Sequence, residues 1–485
     1  MIIRSIIKNP IIIFISCRYL LYIILFLRGL LLAKYLGPYL FGIYGFITMV
    51  QWYLLCTGLG LNYAINVELS TQQEISEAKS SEKISTAVIL TAVIGFTLIL
   101  VGTIVTTSNI HIFDKYLFYK YALILGCITC TNLIQQLLIN VYRYYKKLFR
   151  IAFVELFGAI IILLIALTYR KLELLNAVLL GLLGVGVVSI IVLLVRAPFK
   201  ISFKVDFREA RSLLKVGVPL LIYNVSYVMM TIISQTIISI FYSVEMMGYY
   251  TLANNIAMVI LLGLNSISWI IYPDILHRTR AGLNNSEVMQ TLGRITEVYS
   301  ITVFITVYVS IIIIPLLYLI LPQYKLTHEI IVILLLSQVV LSYCFGYNCL
   351  AVARKKQLIV ATQSTIAVVI VAVLSLVVVL MKLSYVWIAT AVLFGSYIFN
   401  ILQAKAGNRI IENRNGSLAS GINNIPFGNM LAIIVCLFGS LSGYQSIGAF
   451  SSFMLFIYLN KEKIVRTYAF CSARIKSGTV GLNTH

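Results

Sequence analysis

Residues Arg28 to Phe46 read RGLLLAKYLGPYLFGIYGF. An apolar run carrying Arg18 and Arg28 ends at Lys34-Tyr35-Leu36-Gly37-Pro38, and a second apolar run opens with Phe41-Gly42-Ile43-Tyr44. Gly-Pro is strong turn chemistry, and the interruption is too short to be more than a turn. The stretch therefore reads as two apolar helices joined by a tight break. The figure returns later in weaker form, where a run ending Phe241-Tyr242-Ser243 leads into Met247-Gly248-Tyr249-Tyr250-Thr251-Leu252-Ala253.

Working outward, hydrophobic residues make up 60% of the 485, charged residues 11%, and the mean hydropathy is +0.98. A soluble domain is nearer about 45–50% apolar and about 25% charged, so the chain reads as a polytopic membrane protein. The net charge of +21 falls in short basic runs between apolar spans. That is an orientation signal, and it argues against a nucleic-acid partner.

A membrane span needs about 20 mostly apolar residues. That ruler gives fourteen spans, at 11–33, 40–62, 84–106, 116–141, 151–169, 174–195, 213–241, 247–271, 295–320, 329–350, 358–381, 384–404, 425–442 and 444–460. With the N-terminus in the cytoplasm, 28 Lys and Arg fall on inner segments and 7 on outer ones, and Arg18 and Arg28 complete the 37. The bias follows the positive-inside rule and places both termini in the cytoplasm. The first apolar run is too long for a cleavable leader and reads as a retained signal-anchor. No connecting segment is long enough to fold by itself. No G-x-x-x-x-G-K-[ST] run is present to cradle a nucleotide, so ATP-driven transport by this chain alone is excluded and no cofactor is expected. Cys127 and Cys130 form a C-x-x-C within an apolar span, without a second pair or a nearby His, and read as small packing residues rather than metal ligands.

Gly42-Ile43-Tyr44 matches Gly248-Tyr249-Tyr250 at an offset of 206, and Lys146 before span five matches Lys355 before span eleven at an offset of 209. Spans one to six and seven to twelve then form one unit twice, in parallel orientation. The expected fold is all-α, with about fourteen transmembrane helices in two pseudo-symmetric six-helix lobes plus a C-terminal helix pair. The boundaries are 1–211, 212–405 and 406–485, the last including a cytoplasmic tail. Parallel repeats that enclose a cavity and open it alternately to each side are a standard transporter design.

Polar residues within the spans are the candidate site. Arg18 and Arg28 lie ten residues apart, about 15 Å along one helix and about 80° in azimuth. Each costs about 2.5–3.5 kcal/mol at a helix centre. Either each snorkels to its nearer interface, or both line a water-filled cavity and take a phosphate-bearing cargo through the guanidinium fork. Thr129, Asn132, Gln136 and Asn140 form a helical stripe in span four. Asn224, Tyr227, Thr231 and Gln235 repeat that spacing in span seven, and Asn254, Asn265 and Trp269 follow in span eight. Such stripes serve helix–helix hydrogen bonding or a sugar-accommodating lumen. Glu155 either pairs with a cation such as Arg18 or titrates as an ion-coupling site. Glu297 reads as an exposed partner of Arg294, and Glu68, Asp274, His111, His277 and His328 read as solvated residues at span ends.

The hairpin LLLAKYLGPYLFGIYGF, its echo MGYYTLA, the Gly217-Val218-Pro219 opening of span seven and the basic runs before spans five and eleven resemble the polysaccharide flippases. These are the Wzx-type O-antigen and repeat-unit translocases of the multidrug/oligosaccharidyl-lipid/polysaccharide superfamily. The resemblance covers essentially the whole chain. It implies a non-enzymatic protein of the bacterial inner membrane that moves undecaprenyl-pyrophosphate-linked oligosaccharide between leaflets. The prenyl tail would stay in the lipid bilayer and a cationic cavity would take the pyrophosphate. A proton or sodium gradient, a polysaccharide polymerase and a chain-length regulator are the implied partners. Arg18 and Arg28 fit the cationic requirement. Spans seven and eight hold no interior Arg or Lys, which leaves Asn224, Gln235 and Asn254 to serve there by hydrogen bonding. Lipid II flippases and cation-coupled multidrug antiporters of the same superfamily are the alternatives. A membrane polymerase fits less well, because clustered catalytic carboxylates and a large outer loop are missing from the sequence.

Overall fold

The computed structural model describes residues 10–71, 77–108, 110–111, 113–200, 206–260, 285–354, 356–412 and 421–476. Among these every regular element is helical. The first half of the chain comprises α1 (Pro10–Cys56), α2 (Leu61–Thr71), α3 (Glu77–Thr107), α4 (Phe118–Tyr144), α5 (Leu148–Thr168), α6 (Lys171–Leu194) and α7 (Phe207–Phe241). Then follow α8 (244–260), α9 (Asn285–Ile320), α10 (His328–Ser342), α11 (Phe345–Ala353), α12 (Gln357–Leu380), α13 (Val386–Glu412), α14 (Phe427–Leu441) and α15 (Gln445–Lys476). Lipid offers the backbone no hydrogen-bond partners, so a chain this apolar satisfies its amides within helices.

Each of the fourteen expected spans falls wholly or partly on helix, in order. Nine helices among the described residues are long and apolar enough to cross a membrane, or ten with the bent α7. The lower number has local causes. Spans one and two are the two halves of α1, α14 has only 15 residues, α15, which carries span fourteen, falls outside the count, and span eight runs beyond the described residues after 260. The break inside α1 is narrower than the sequence implies. It is confined to Gly37, at φ 72° and ψ 170°, ahead of Pro38. That backbone region is open to glycine and costly for a residue with a Cβ.

The chain divides into two compact units. Unit 1 is Met1–Val225 with Tyr242–Thr251, and unit 2 is Ser226–Phe241 with Leu252–His485. In unit 1, Leu137, Leu138, Val141 and Tyr142 of α4 pack with Leu61 and Ile65 of α2, Ile84 of α3 and Leu213 of α7. The Tyr142 hydroxyl donates to the Leu193 carbonyl at 2.5 Å. Arg150 donates to that same hydroxyl (2.8 Å) and to the Val195 carbonyl (2.9 Å), capping the end of α6. A cation at a helix C-terminus meets unsatisfied carbonyls and the negative end of the dipole. Cys127 and Cys130 are free thiols on α4, and Cys130 lies against Gly95 of α3.

The echoed hairpin motifs meet within unit 1. A Cβ at Gly42 would overlap the Val244 carbonyl, and one at Gly248 would overlap the Pro38 carbonyl. Val244 stands 206 residues after Pro38, as Gly248 does after Gly42, so the contact is reciprocal, in the manner of a two-fold interface. Glycine is required on both sides because backbone sits directly on backbone. Gly42→Ala and Gly248→Ala are each expected to cost about 1–3 kcal/mol by overpacking. Gly184→Ala on α6, with no atom within 4 Å of the added carbon, is expected to be neutral or slightly stabilising. Thermal melting of the purified variants checks this, and equal melting for all three would contradict the close approach.

Candidate functional site

Arg18 of α1 reaches Glu155 of α5, with Nη1 3.3 Å from Oε2 and the side chains 23% and 20% exposed. One helical turn further, Leu21, Ile24 and Leu25 of α1 pack with Leu156, Ala159 and Leu163 of α5. This apolar contact sets the register that brings the two charges together. Arg143, in the last turn of α4, couples electrostatically to both Arg18 and Glu155. Two guanidiniums and one carboxylate thus meet here. The hydrophobic pattern marks both spans, but Arg143 reads in sequence only as an inner-loop cation. Its place beside Glu155 depends on how α4 and α5 fold back on each other.

Arg28 lies further along α1 and is half-buried. Its Nε is buried and has no hydrogen-bond partner among the described residues. Leaving a buried donor unpaired costs about 1–3 kcal/mol, more when it is charged. An anion seated there would recover that cost. Five donors in a planar fork suit phosphate oxygens.

The polar stripe of α4 splits in two. Thr129 is buried and returns its hydroxyl to the Leu125 carbonyl at 2.8 Å. Gln136 is exposed and accepts from Asn62 Nδ2 at 3.4 Å, while half-buried Asn140 donates to the Gln136 carbonyl at 3.1 Å. Asn132 on the same helix is half-buried. Asn224 of α7 is exposed and donates to the Leu220 carbonyl at 2.7 Å. Thr129, Asn132, Gln136, Asn140 and Asn224 all lie in unit 1 with Arg18, Arg28 and Glu155. Gln235 and Asn254 lie in unit 2 and are 6% and 7% exposed. Asn265, Trp269, Asp274 and His277 fall outside the described residues, as does the Tyr227 side chain.

A second ionic centre escapes sequence reasoning. Lys83 of α3 is 3% exposed and contacts Glu68 of α2 at 2.6 Å and Glu209 of α7 at 3.7 Å. Lys83 read as an orientation signal and Glu68 as a solvated residue at a span end. Instead the three tie together elements far apart in the chain, and no local spacing announces them. Two carboxylates for one ammonium leave the cation fully compensated, which suits a structural tie. Glu297, read as a partner of Arg294, makes no ion pair among the described residues.

The helical architecture, with nine helices among the described residues long and apolar enough to cross a membrane, describes a multi-pass membrane protein with half-buried arginines in its first unit. Residues 31–276, just over half of the chain, match the polysaccharide biosynthesis protein family, and the chain belongs to that family. Among solved structures the fold is similar to the lipid II flippase MurJ in an inward closed conformation. The TM-score is 0.68 at 15% identity, covering 93% of this chain and 100% of that one. It is also similar to an inward-facing multidrug resistance MATE transporter of the MOP superfamily, with a TM-score of 0.62 at 12% identity over 81% and 94% of the two chains. A MOP superfamily transporter from Pyrococcus furiosus gives 0.56 at 13% identity over 82% and 93%. Comparison with curated protein sequences gives no match. At these identities the structural likeness carries the fold alone.

Lys83→Met leaves Glu68 and Glu209 without their shared cation and is expected to cost about 3–5 kcal/mol. Glu68→Gln, which keeps Glu209 for the ammonium, is expected to cost less. Melting of the purified variants ranks them. Wild-type melting for Lys83→Met would return Lys83 to the role of a solvated orientation signal.

Proposed function

We propose that this protein is a flippase for undecaprenyl-pyrophosphate-linked oligosaccharide repeat units. It would carry them from the inner to the outer leaflet of the bacterial cytoplasmic membrane by alternating access, for O-antigen or another surface polysaccharide. The observation that carries the reading is Arg28, whose buried Nε finds no hydrogen-bond acceptor among the described residues, on the same helix as the Arg18–Glu155 pair beside Arg143. A diphosphate supplies acceptor oxygens for that donor and takes bidentate hydrogen bonds from a guanidinium. Membership of the polysaccharide biosynthesis family favours a glycan cargo over the lipid II and the drugs for which the MurJ flippase and the multidrug resistance transporter of similar fold are named.

Arg18 and Arg28 bind the diphosphate in this reading. Asn132, Gln136, Asn140 and Asn224 hydrogen-bond the glycan, and Gln235 and Asn254 are the corresponding polar positions of unit 2. Glu155 is the coupling group. Its ion pair with Arg18 competes with the cargo, and protonation of the carboxylate frees the guanidinium for phosphate. A proton gradient would then drive loading and release without a cofactor. Both termini lie in the cytoplasm, and a polymerase and chain-length regulator would use the product on the far side.

Arg18→Ala and Arg28→Ala are expected to lower export of repeat units about 10- to 100-fold, the value of one charged hydrogen bond, with normal membrane insertion. Leaflet-selective labelling and mass spectrometry of the lipid-linked glycan measure this, and wild-type export by both variants would sink the anion-binding role. Glu155→Gln removes the proton site while keeping the shape. It is expected to leave residual export that no longer responds to the proton gradient, and an unchanged response would take coupling away from Glu155.

A further inference from the structure

A cavity of mixed lining, with Met289, Leu292, Ile301 and Ile411 beside its polar groups, lies wholly within unit 2. Its volume is about 240 Å³, below the roughly 300 Å³ at which pockets for drug-sized ligands begin. It therefore suits one ring rather than a chain. Glu297 of α9, Tyr343 after α10, Asn424 ahead of α14, Asn429 of α14, and Asn460 and Lys463 of α15 line it.

The amides of this cavity are fixed in advance. Buried Asn429 donates Nδ2 to the Tyr343 hydroxyl at 2.7 Å, and Tyr343 is also hydrogen-bonded to Ser300. Asn460 donates to Asn429 Oδ1 at 2.6 Å and to the Phe456 carbonyl at 3.0 Å. At Asn460, α15 leaves helical geometry, with φ −116° and ψ 15°. Asn424 donates to Asn400 Oδ1 at 3.1 Å. Each amide has two N–H donors and two acceptor sites, so the network holds these groups in place without using all of their capacity. Rigid positioning by a satisfied network is what a binding site requires.

Glu297 and Lys463 add the second observation. They carry opposite charges and line the same cavity, yet no ion pair joins them among the described residues. An anion would be repelled by Glu297 and a cation by Lys463. A hydroxyl is donor and acceptor at once and satisfies both. Several hydroxyls on one neutral ring match the amides and the phenol between them.

We propose that this cavity binds a single neutral sugar ring and is a second glycan-binding site of the protein. The choice of ligand rests on the flippase reading above. On the orientation read from the charge bias, the helix ends that form the cavity face the cytoplasm, where cargo is loaded. Its occupation would hold one sugar of a repeat unit on the side where cargo is loaded.

The purified full-length protein in lipid nanodiscs is titrated with methyl glycosides of glucose, galactose and N-acetylglucosamine, using saturation-transfer NMR. At least one is expected to bind saturably in the millimolar range. Glu297→Gln and Lys463→Met are each expected to weaken it about tenfold. Asn429→Leu is expected to abolish it, but that residue is buried in the packing, so the two charged positions at the cavity decide. No binding by the wild type, binding unchanged in both charge variants, or binding of glycerophosphoethanolamine in place of every glycoside would overturn the proposal. Sugar binding by the purified protein, together with repeat-unit export that is unchanged in cells lacking the protein, would keep this site and remove the flippase reading. Lost export with no sugar binding would do the reverse.

Discussion

A guanidinium in an apolar layer is tolerated in three ways: beside a carboxylate, in contact with water, or around a bound anion. Arg18 takes the first, through Glu155. Arg143 draws on the same carboxylate. Arg28, further along the same helix, has no acceptor for its buried Nε among the described residues. The apolar contact of Leu21 and Ile24 with Ala159 matters because it fixes the register of α1 on α5. Were α1 free to slide on α5, each arginine could drift toward an interface and the pairing of Arg18 with Glu155 would be lost.

Lys83 sits in a second ionic centre a few helices away. Two carboxylates surround it, the ammonium is almost fully buried, and the three side chains come from α3, α2 and α7. A buried charge so thoroughly compensated has nothing left to offer a ligand. The buried ammonium, with carboxylates from two other helices, joins those helices.

Hydropathy is a one-dimensional property, and what depends on it was legible. The order of the helices, the break before Pro38 and the recurrence of Gly42-Ile43-Tyr44 at Gly248 all follow from neighbours in sequence. Contacts between distant residues were not legible. Lys83 and Glu209 are 126 positions apart, and nothing near either one marks the other. Arg143 looked like any cation at a span end until α5 folded back beside it. The helical spacing of Gln235 and its neighbours identifies a common face without saying what the face meets, and in unit 2 that glutamine is buried. The likeness of Gly42 and Gly248 could be read, but their mutual packing could not, since similarity within a chain does not imply touch.

The division of the chain bears on the order in which the protein is made. Unit 1 takes residues up to Val225, gives up Ser226–Phe241 to unit 2, and then recovers Tyr242–Thr251. Its last element carries Gly248, which sits on the backbone of the first hairpin. The first unit therefore cannot finish packing until residue 251 has left the ribosome, after part of the second has already been inserted. Domains usually fold as separate units, N-terminal first. Here the first hairpin must wait in the membrane with its glycine face uncovered, and a single cut between the two units would not release either one whole.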